Sequence, residues 1–129
     1  MRSALARLFL VVSLAAPLGG VACSRALGTA DTGPPLLVFR NESLDMTTVY
    51  AIRPGGDATR LASVMPGRTD TLSLPSTVAS AGQVTFVAVP TAGTRVASSG
   101  PISLGPGVRL AITLLQSQNI LSVLPLSTP

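Results

Sequence analysis

The chain has 129 residues, which allows one small domain, and its nine basic and five acidic residues give a net charge of +4. All nine basic residues are arginines scattered singly, and the chain has one tyrosine, three phenylalanines and no tryptophan. Nucleic-acid binding needs clustered basic residues and aromatic side chains for stacking, so this composition argues against it.

The first 22 residues have the three parts of a secretory signal peptide. Arg2 and Arg7 precede the apolar run 8–16, Pro17 ends that run, and small residues occupy positions 20–22. A helix that spans a membrane needs about 20 apolar residues, more than this interrupted run provides. We therefore predict a helical signal peptide over residues 1–22 and export of the chain.

The single cysteine, Cys23, directly follows Ala22. An unpaired thiol invites stray disulfides in an oxidising compartment, so exported chains usually carry cysteines in even numbers. Residues 18–23 resemble the processing site of bacterial lipoproteins, although Gly20 stands where that family prefers leucine. The resemblance implies that diacylglycerol alkylates Cys23. The alternative is ordinary cleavage after Ala22 or Ala26, which gives a secreted protein.

Residues 23–35 follow as the lipidated cysteine and a flexible tether, stiffened at its end by two prolines. From residue 36 to 126, short apolar runs alternate with Gly, Pro, Asp and Asn, which is typical of all-β domains. We predict a small immunoglobulin-like β-sandwich of seven to eight antiparallel strands. The predicted strands are 36–41, 47–53, 59–64, 69–74, 83–89, 95–104, 108–115 and 119–126.

The Gly- and Pro-containing segments between these runs predict turns at 53–57, 65–68 and 105–107, and the Ser- and Thr-rich segment 75–82 predicts a loop. Strand 83–89 is the most β-prone and is expected at the centre of a sheet. The last strand is expected at an edge, because Pro125 cannot donate a hydrogen bond to a neighbouring strand. The predicted inward-facing residues are Val38, Val49, Ala51, Leu61, Val64, Leu72, Leu74, Val84, Phe86, Leu104, Leu110, Ile112 and Leu114.

Residues 50–75, YAIRPGGDATRLASVMPGRTDTLSLP, and the later segment 106–112, PGVRLAI, resemble small uncharacterised lipoproteins of environmental bacteria. The shared pattern is V-Y, R-L-x-x-V, a P-G turn, L-x-L-P and P-G-x-x-L-x-I. These positions are strand cores and turns. The resemblance therefore implies a β-sandwich fold and no particular activity.

Metal and cofactor sites have few candidate ligands in this sequence. The chain has no histidine, and its one cysteine lies before the predicted domain, so we predict no zinc, copper or iron–sulfur site and no cofactor. Glu42 and Asp45 lie three residues apart in segment 41–46 and could hold a cation weakly. A solvated turn explains the pair better.

Catalysis is disfavoured for related reasons. Neither histidine nor lysine is present to activate a serine, and the stretch 97–101, ASSGP, lacks the strand–turn–helix context of a nucleophile elbow. Asp57 and Asp70 lie next to turns, where aspartate is common for backbone reasons. We predict that the protein is not an enzyme.

Two isolated features have ordinary explanations. Asn41-Glu42-Ser43 matches a glycosylation sequon, but Asn and Ser are also common in turns. Tyr50 could stack on a ligand, but a strand tyrosine with its ring in the core and its hydroxyl at the rim is the expected arrangement.

Together these features predict a non-catalytic binding or structural protein of the cell envelope, lipid-anchored to a membrane and facing the periplasm or the exterior. An envelope protein is a possible partner, because an exposed strand edge can pair with another chain. The alternative is a soluble secreted β-sandwich that binds a small apolar or carbohydrate ligand. A cavity of several hundred Å³ would favour that alternative.

Overall fold

The computed structural model of the protein describes residues 33–116 and 121–126. The predicted signal peptide, Cys23 and tether residues 23–32 lie outside the described residues, as do residues 117–120. The first two residues of the predicted last strand fall in that second gap.

The described chain forms eight β-strands and one short helix, in close agreement with the predicted strand positions. The elements are β1 (Leu36–Asn41), β2 (Thr47–Ile52), β3 (Ala58–Val64), β4 (Thr69–Leu72), α1 (Ser76–Ala79), β5 (Gln83–Pro90), β6 (Ala97–Ser103), β7 (Arg109–Leu114) and β8 (Leu121–Pro125). The segment 75–82 was predicted as a loop, which is wrong for α1. Val78 of this single turn is fully buried against the core, and that contact orders the segment.

The strands form two four-stranded sheets packed face to face as a sandwich. Sheet A has the order β4-β1-β7-β8, and sheet B has the order β3-β2-β5-β6. The prediction of β5 as a central strand and β8 as an edge strand is confirmed by these orders.

Sheet A is mixed, so the prediction that all strands are antiparallel is wrong. β1 and β7 run parallel, with Leu37 opposite Leu110 and Phe39 opposite Ile112. Parallel neighbours need a long crossover connection. Residues 42–108 form this connection, and they contain all four strands of sheet B as well as β4. The backbone fixes the start of the pair, because the N–H of Leu36 donates to the carbonyl of Val108 at 2.9 Å.

The core lies between the inner faces of the two sheets, and Phe39 and Phe86 are its largest fully buried side chains. Most predicted inward residues are confirmed as buried, but Val38 is wrong. Leu37, Phe39 and Asn41 face the core, so the intervening Val38 lies half-buried on the outer face of sheet A. The apolar run in β1 has no alternation from which the inward face could be read.

Two predicted inward residues, Leu61 and Leu74, are only partly buried but pack against the core. Leu61 lies in β3 where the pairing with β2 shifts by one residue, so that Val49 faces Ala62 while Tyr50 faces Arg60. The extra residue is a β-bulge, which interrupts the alternation of the strand.

All three predicted turns are present and share one local structure. In each, Pro follows the first residue, Gly with positive φ comes next, and the N–H of the fourth residue donates to the carbonyl of the first. Pro at the second and Gly at the third position favour a type II turn. The turns cover residues 53–56, 65–68 and 105–108.

The sandwich has two ends, which we name by their relation to the preceding chain. The tether end contains the entry segment 33–35, the turn 53–56, residues 73–82, residues 104–108 and Leu126. The far end contains segments 42–46, 65–68, 91–96 and 115–116.

Candidate functional site

The segment that contains Asn41 forms a buried polar cluster at the far end. Nδ2 of Asn41 donates to the carbonyls of Val64 at 2.9 Å and Asp45 at 2.8 Å, while Oδ1 accepts from the N–H and the hydroxyl of Ser43. Thr47, also fully buried, donates its hydroxyl to the Asp45 carbonyl at 3.3 Å. The cluster ties the 42–46 turn to the end of β3.

This cluster gives the sequon Asn41-Glu42-Ser43 a structural role. The Asn41 side chain is fully buried, and its amide group already donates two hydrogen bonds. A glycosyl group has no room on this nitrogen in the folded protein. The sequence predicts the turn, because an asparagine side chain readily bonds to the backbone two residues on. It does not predict that the Asn41 side chain is buried.

The structure does not gather the acids of the same turn into a cation site. The Glu42 carboxylate pairs with Arg40, with 2.9 Å between Nε and Oε1. The carbonyl of Asp45 is the acceptor for several neighbours, which stabilises the turn without any ion. Within residues 33–116 and 121–126, no three His, Cys, Asp or Glu side chains cluster in a way that could hold a metal.

The two remaining candidate acids lie apart. Asp57 follows the turn at the tether end of sheet B, whereas Asp70 lies in β4 of sheet A, opposite Phe39. Both are exposed. They therefore do not face one cleft as a carboxylate pair for hydrolysis would require.

The serines of segment 97–101 support a β-bulge. The pairing of β5 with β6 shifts between Thr85 and Val87, and the Ser99 hydroxyl fills the gap by accepting the N–H of Phe86 at 2.9 Å. The same hydroxyl donates to the Gly100 carbonyl at 2.7 Å. Ser99 therefore completes the backbone hydrogen bonding of the sheet.

Tyr50 does not occupy the core, so its predicted position is wrong. Thr47, Val49 and Ala51 of β2 are buried, and the alternation places Tyr50 half-buried on the outer face of sheet B. Arg60 of β3 and Val87 of β5 are its register partners on either side. Tyr50 therefore lies between an apolar and a cationic residue position on an open sheet face.

Each end of the sandwich has an open cleft. The cleft at the far end has a volume of about 500 Å³, and Asp45, Thr94, Arg95 and Leu115 are among its lining residues. The cleft at the tether end has a volume of about 550 Å³ and a mainly apolar lining that includes Pro35, Leu74 and Leu104. Neither is an enclosed pocket with converging catalytic groups.

Cys23, the predicted lipidation site, lies outside the described residues. No helix in residues 33–116 or 121–126 is long and apolar enough to cross a membrane. Models of known protein families give no match to the chain, and a comparison with curated proteins finds none. The residues themselves therefore carry the functional argument.

Proposed function

We propose that the protein is an exported, lipid-anchored component of the cell envelope that holds a non-catalytic β-sandwich at a membrane surface. One observation carries the proposal: the only cysteine of the chain stands directly after Ala22, where the signal-peptide pattern ends. Three acyl chains on this residue would make the attachment effectively permanent, because each buried CH₂ adds about 0.8 kcal/mol.

The arrangement of the domain supports a non-catalytic role. The chain contains no histidine or lysine, and the buried Asn41 and Thr47 and the half-buried Ser99 use their side chains in hydrogen bonds that complete a turn and a bulge. A binding or structural module needs no activated nucleophile. An immunoglobulin-like fold is part of this proposal, supported by two four-stranded layers in about 90 residues.

That likeness concerns the layered architecture and not the strand order. In the immunoglobulin fold, the first two strands are neighbours in one sheet. Here β1 lies between β4 and β7, while β2 belongs to the opposite sheet.

Metabolic labelling with an alkyne fatty acid tests the lipid anchor. We expect the expressed full chain to incorporate the label and Cys23→Ser to lose it, since serine offers no thiol for alkylation. Ser24→Ala is the matched control and is expected to keep the label. A wild-type chain without label, or a labelled Cys23→Ser chain, contradicts the proposal.

The second candidate is a soluble secreted domain that binds a small ligand, favoured by the cleft of about 500 Å³ at the far end. Its lining combines Arg95 and Asp45 with the apolar Leu44 and Leu115. Native mass spectrometry of the protein purified from its own culture medium tests this candidate. A co-purifying small molecule that Arg95→Ala releases supports it, whereas a ligand-free protein argues against it.

A further inference from the structure

We propose that the tether end of the sandwich rests against the anionic lipid surface of the membrane that carries the anchor. This inference rests on the proposed lipidation of Cys23. It adds an orientation to the attachment, with the cleft at the tether end facing the headgroups and the far end facing away.

The point at which the tether enters the domain favours this orientation. Cys23 precedes Gly33 by ten residues, and a chain of that length spans at most about 35 Å. Gly33 lines the cleft at the tether end, and its carbonyl accepts the N–H of Gly107 at 2.7 Å. The anchored segment therefore enters the domain at the rim of this cleft.

The cleft offers the apolar surface that an interface with lipid requires. Its volume is about 550 Å³, and it opens to solvent between the entry segment, residues 74–82 and residues 104–106. Prolines and leucines provide most of its apolar lining, and the side chains concerned are Pro34, Pro35, Leu74, Leu104 and Pro106. Apolar surface at a bilayer boundary is stabilised by partial burial among headgroups and acyl chains.

Two exposed leucines also lie at the end of β8, on the outer face of sheet A. Leu126 is 37% exposed and Leu124 is 61% exposed. The N–H of Leu126 donates to the carbonyl of Arg109 at 2.9 Å, which places the leucine beside a basic residue. Arginine next to leucine suits a membrane interface, since the apolar stem and the charged head reach different depths.

The charges of the described residues favour the same end. Three arginines and one acid lie in the half toward the tether, namely Arg53, Arg60, Arg109 and Asp57. Three arginines and three acids lie in the other half, namely Arg40, Arg68, Arg95, Glu42, Asp45 and Asp70. The excess positive charge is therefore confined to the tether half, and anionic lipids attract basic residues within a Debye length of the surface.

The far end also exposes apolar side chains, which makes it the matched control. Leu44, Met46, Met65 and Val96 are each at least 39% exposed there. Acids accompany them, because Glu42 and Asp45 lie in the same turn as Leu44. The three acids of this half balance its three arginines, so it lacks a net attraction to an anionic surface, and we expect this end to stay in water.

Site-specific fluorescence quenching tests the orientation. Lipidation consumes Cys23, so Ser76→Cys at the cleft rim and Leu44→Cys at the far end each provide one thiol for a fluorophore. The lipidated proteins are placed in phosphatidylglycerol-containing vesicles with nitroxide-labelled headgroups. We expect loss of emission for the residue 76 label and unchanged emission for the residue 44 label, with less loss in zwitterionic vesicles.

A pair of charge variants sharpens the test. In the labelled Ser76→Cys protein, Arg109→Gln is expected to reduce the quenching, and Arg68→Gln at the far end is expected to leave it unchanged. Equal quenching at both label positions, or stronger quenching at residue 44, overturns the orientation. Intact mass measured before labelling separates this failure from failure of the anchor, because a chain without the diacylglycerol adduct overturns both.

Discussion

Asn41 is the clearest case of a residue whose position is explained by hydrogen bonding. Its side-chain amide donates hydrogen bonds to two backbone carbonyls, and its side-chain oxygen accepts the N–H of Ser43. The Asn41 side chain is fully buried, so water has little access to these bonds. A buried polar group without a partner is expensive, whereas a fully satisfied one stabilises a unique local structure. The asparagine therefore fixes how the end of β3 meets the 42–46 turn.

We predict that Asn41→Ala lowers the free energy of unfolding by about 2 kcal/mol, because it removes the side-chain donor to the buried Val64 carbonyl and one of the three side-chain donors to the Asp45 carbonyl. Urea denaturation of the mature chain measures this value. Gln83→Ala, which removes an exposed amide from β5, is the control and is expected to change stability by less than about 0.5 kcal/mol. Equal effects for the two variants would mean that the cluster adds no stability.

Gly67 offers a second test at a single residue. It has a φ of 70° and donates its N–H to the Asn41 carbonyl at 2.8 Å. A Cβ there would meet nothing within 4 Å, so any cost of Gly67→Ala comes from the backbone alone. We expect a loss of about 1–2 kcal/mol.

Thermal unfolding compares Gly67→Ala with Gly105→Ala, whose φ is not in the left-handed region and whose added Cβ would lie 3.9 Å from Val108. The second variant is expected to unfold at nearly the wild-type temperature. A Gly67→Ala protein as stable as Gly105→Ala would show that the 65–68 turn tolerates another conformation.

At the level of strands, the positions could be predicted from sequence because turns are local. The Pro-Gly pairs mark three turns directly, and these turns place the six strand ends beside them to within one residue. The pairing could not be predicted in this way. The parallel contact of β1 with β7 depends on residues 42–108 passing through the other sheet, which no local pattern indicates.

The inward face of β1 was misjudged for a related reason. Its first four residues, Leu36 to Phe39, are all apolar, so alternation is absent and either face could be buried. Tyr50 was misplaced because a tyrosine suits both a core rim and an open sheet face. In both cases the neighbouring strands decide, and they are distant in sequence.

Paired truncations in β1 measure its register. Leu37→Ala is expected to lower the free energy of unfolding by about 2–5 kcal/mol, because a fully buried leucine leaves a cavity. Val38→Ala should cost clearly less, since Val38 is half-buried on the outer face. Chemical denaturation gives both values, and a larger loss for Val38→Ala would contradict the register.

The free edges of the sheets are protected against pairing with other chains. β4 has four residues, and β3, β6 and β8 carry a bulge or a proline. The N–H of Leu126 points toward β7, so the backbone nitrogen of the preceding Pro125 points away from the sheet. Because proline has no N–H, this edge presents no free donor at that residue. Such features hinder edge-to-edge association.

We predict that Pro125→Thr increases aggregation, because it restores an outward donor on the β8 edge. Light scattering at rising protein concentration detects the change. Pro75→Thr is the control, since Pro75 precedes α1 and lies outside the strands. Identical scattering for both variants would show that the β8 edge is protected by something other than Pro125.

On the scale of the whole molecule, the described sandwich follows the segment that we propose carries the lipid anchor. Two apolar faces hold the domain together without a disulfide, since the one cysteine lies before residue 33. The candidate lipidation site was identified from sequence because it depends on a short contiguous pattern. The clefts, formed by loops from both sheets, could only be found in the folded chain.

The intact mass of the mature protein extracted from membranes tests the central claim most directly. We predict a chain that begins at Cys23 and carries a diacylglycerol thioether together with an acylated amino terminus. A soluble chain of unmodified mass that begins at Cys23 or Leu27 would contradict the account.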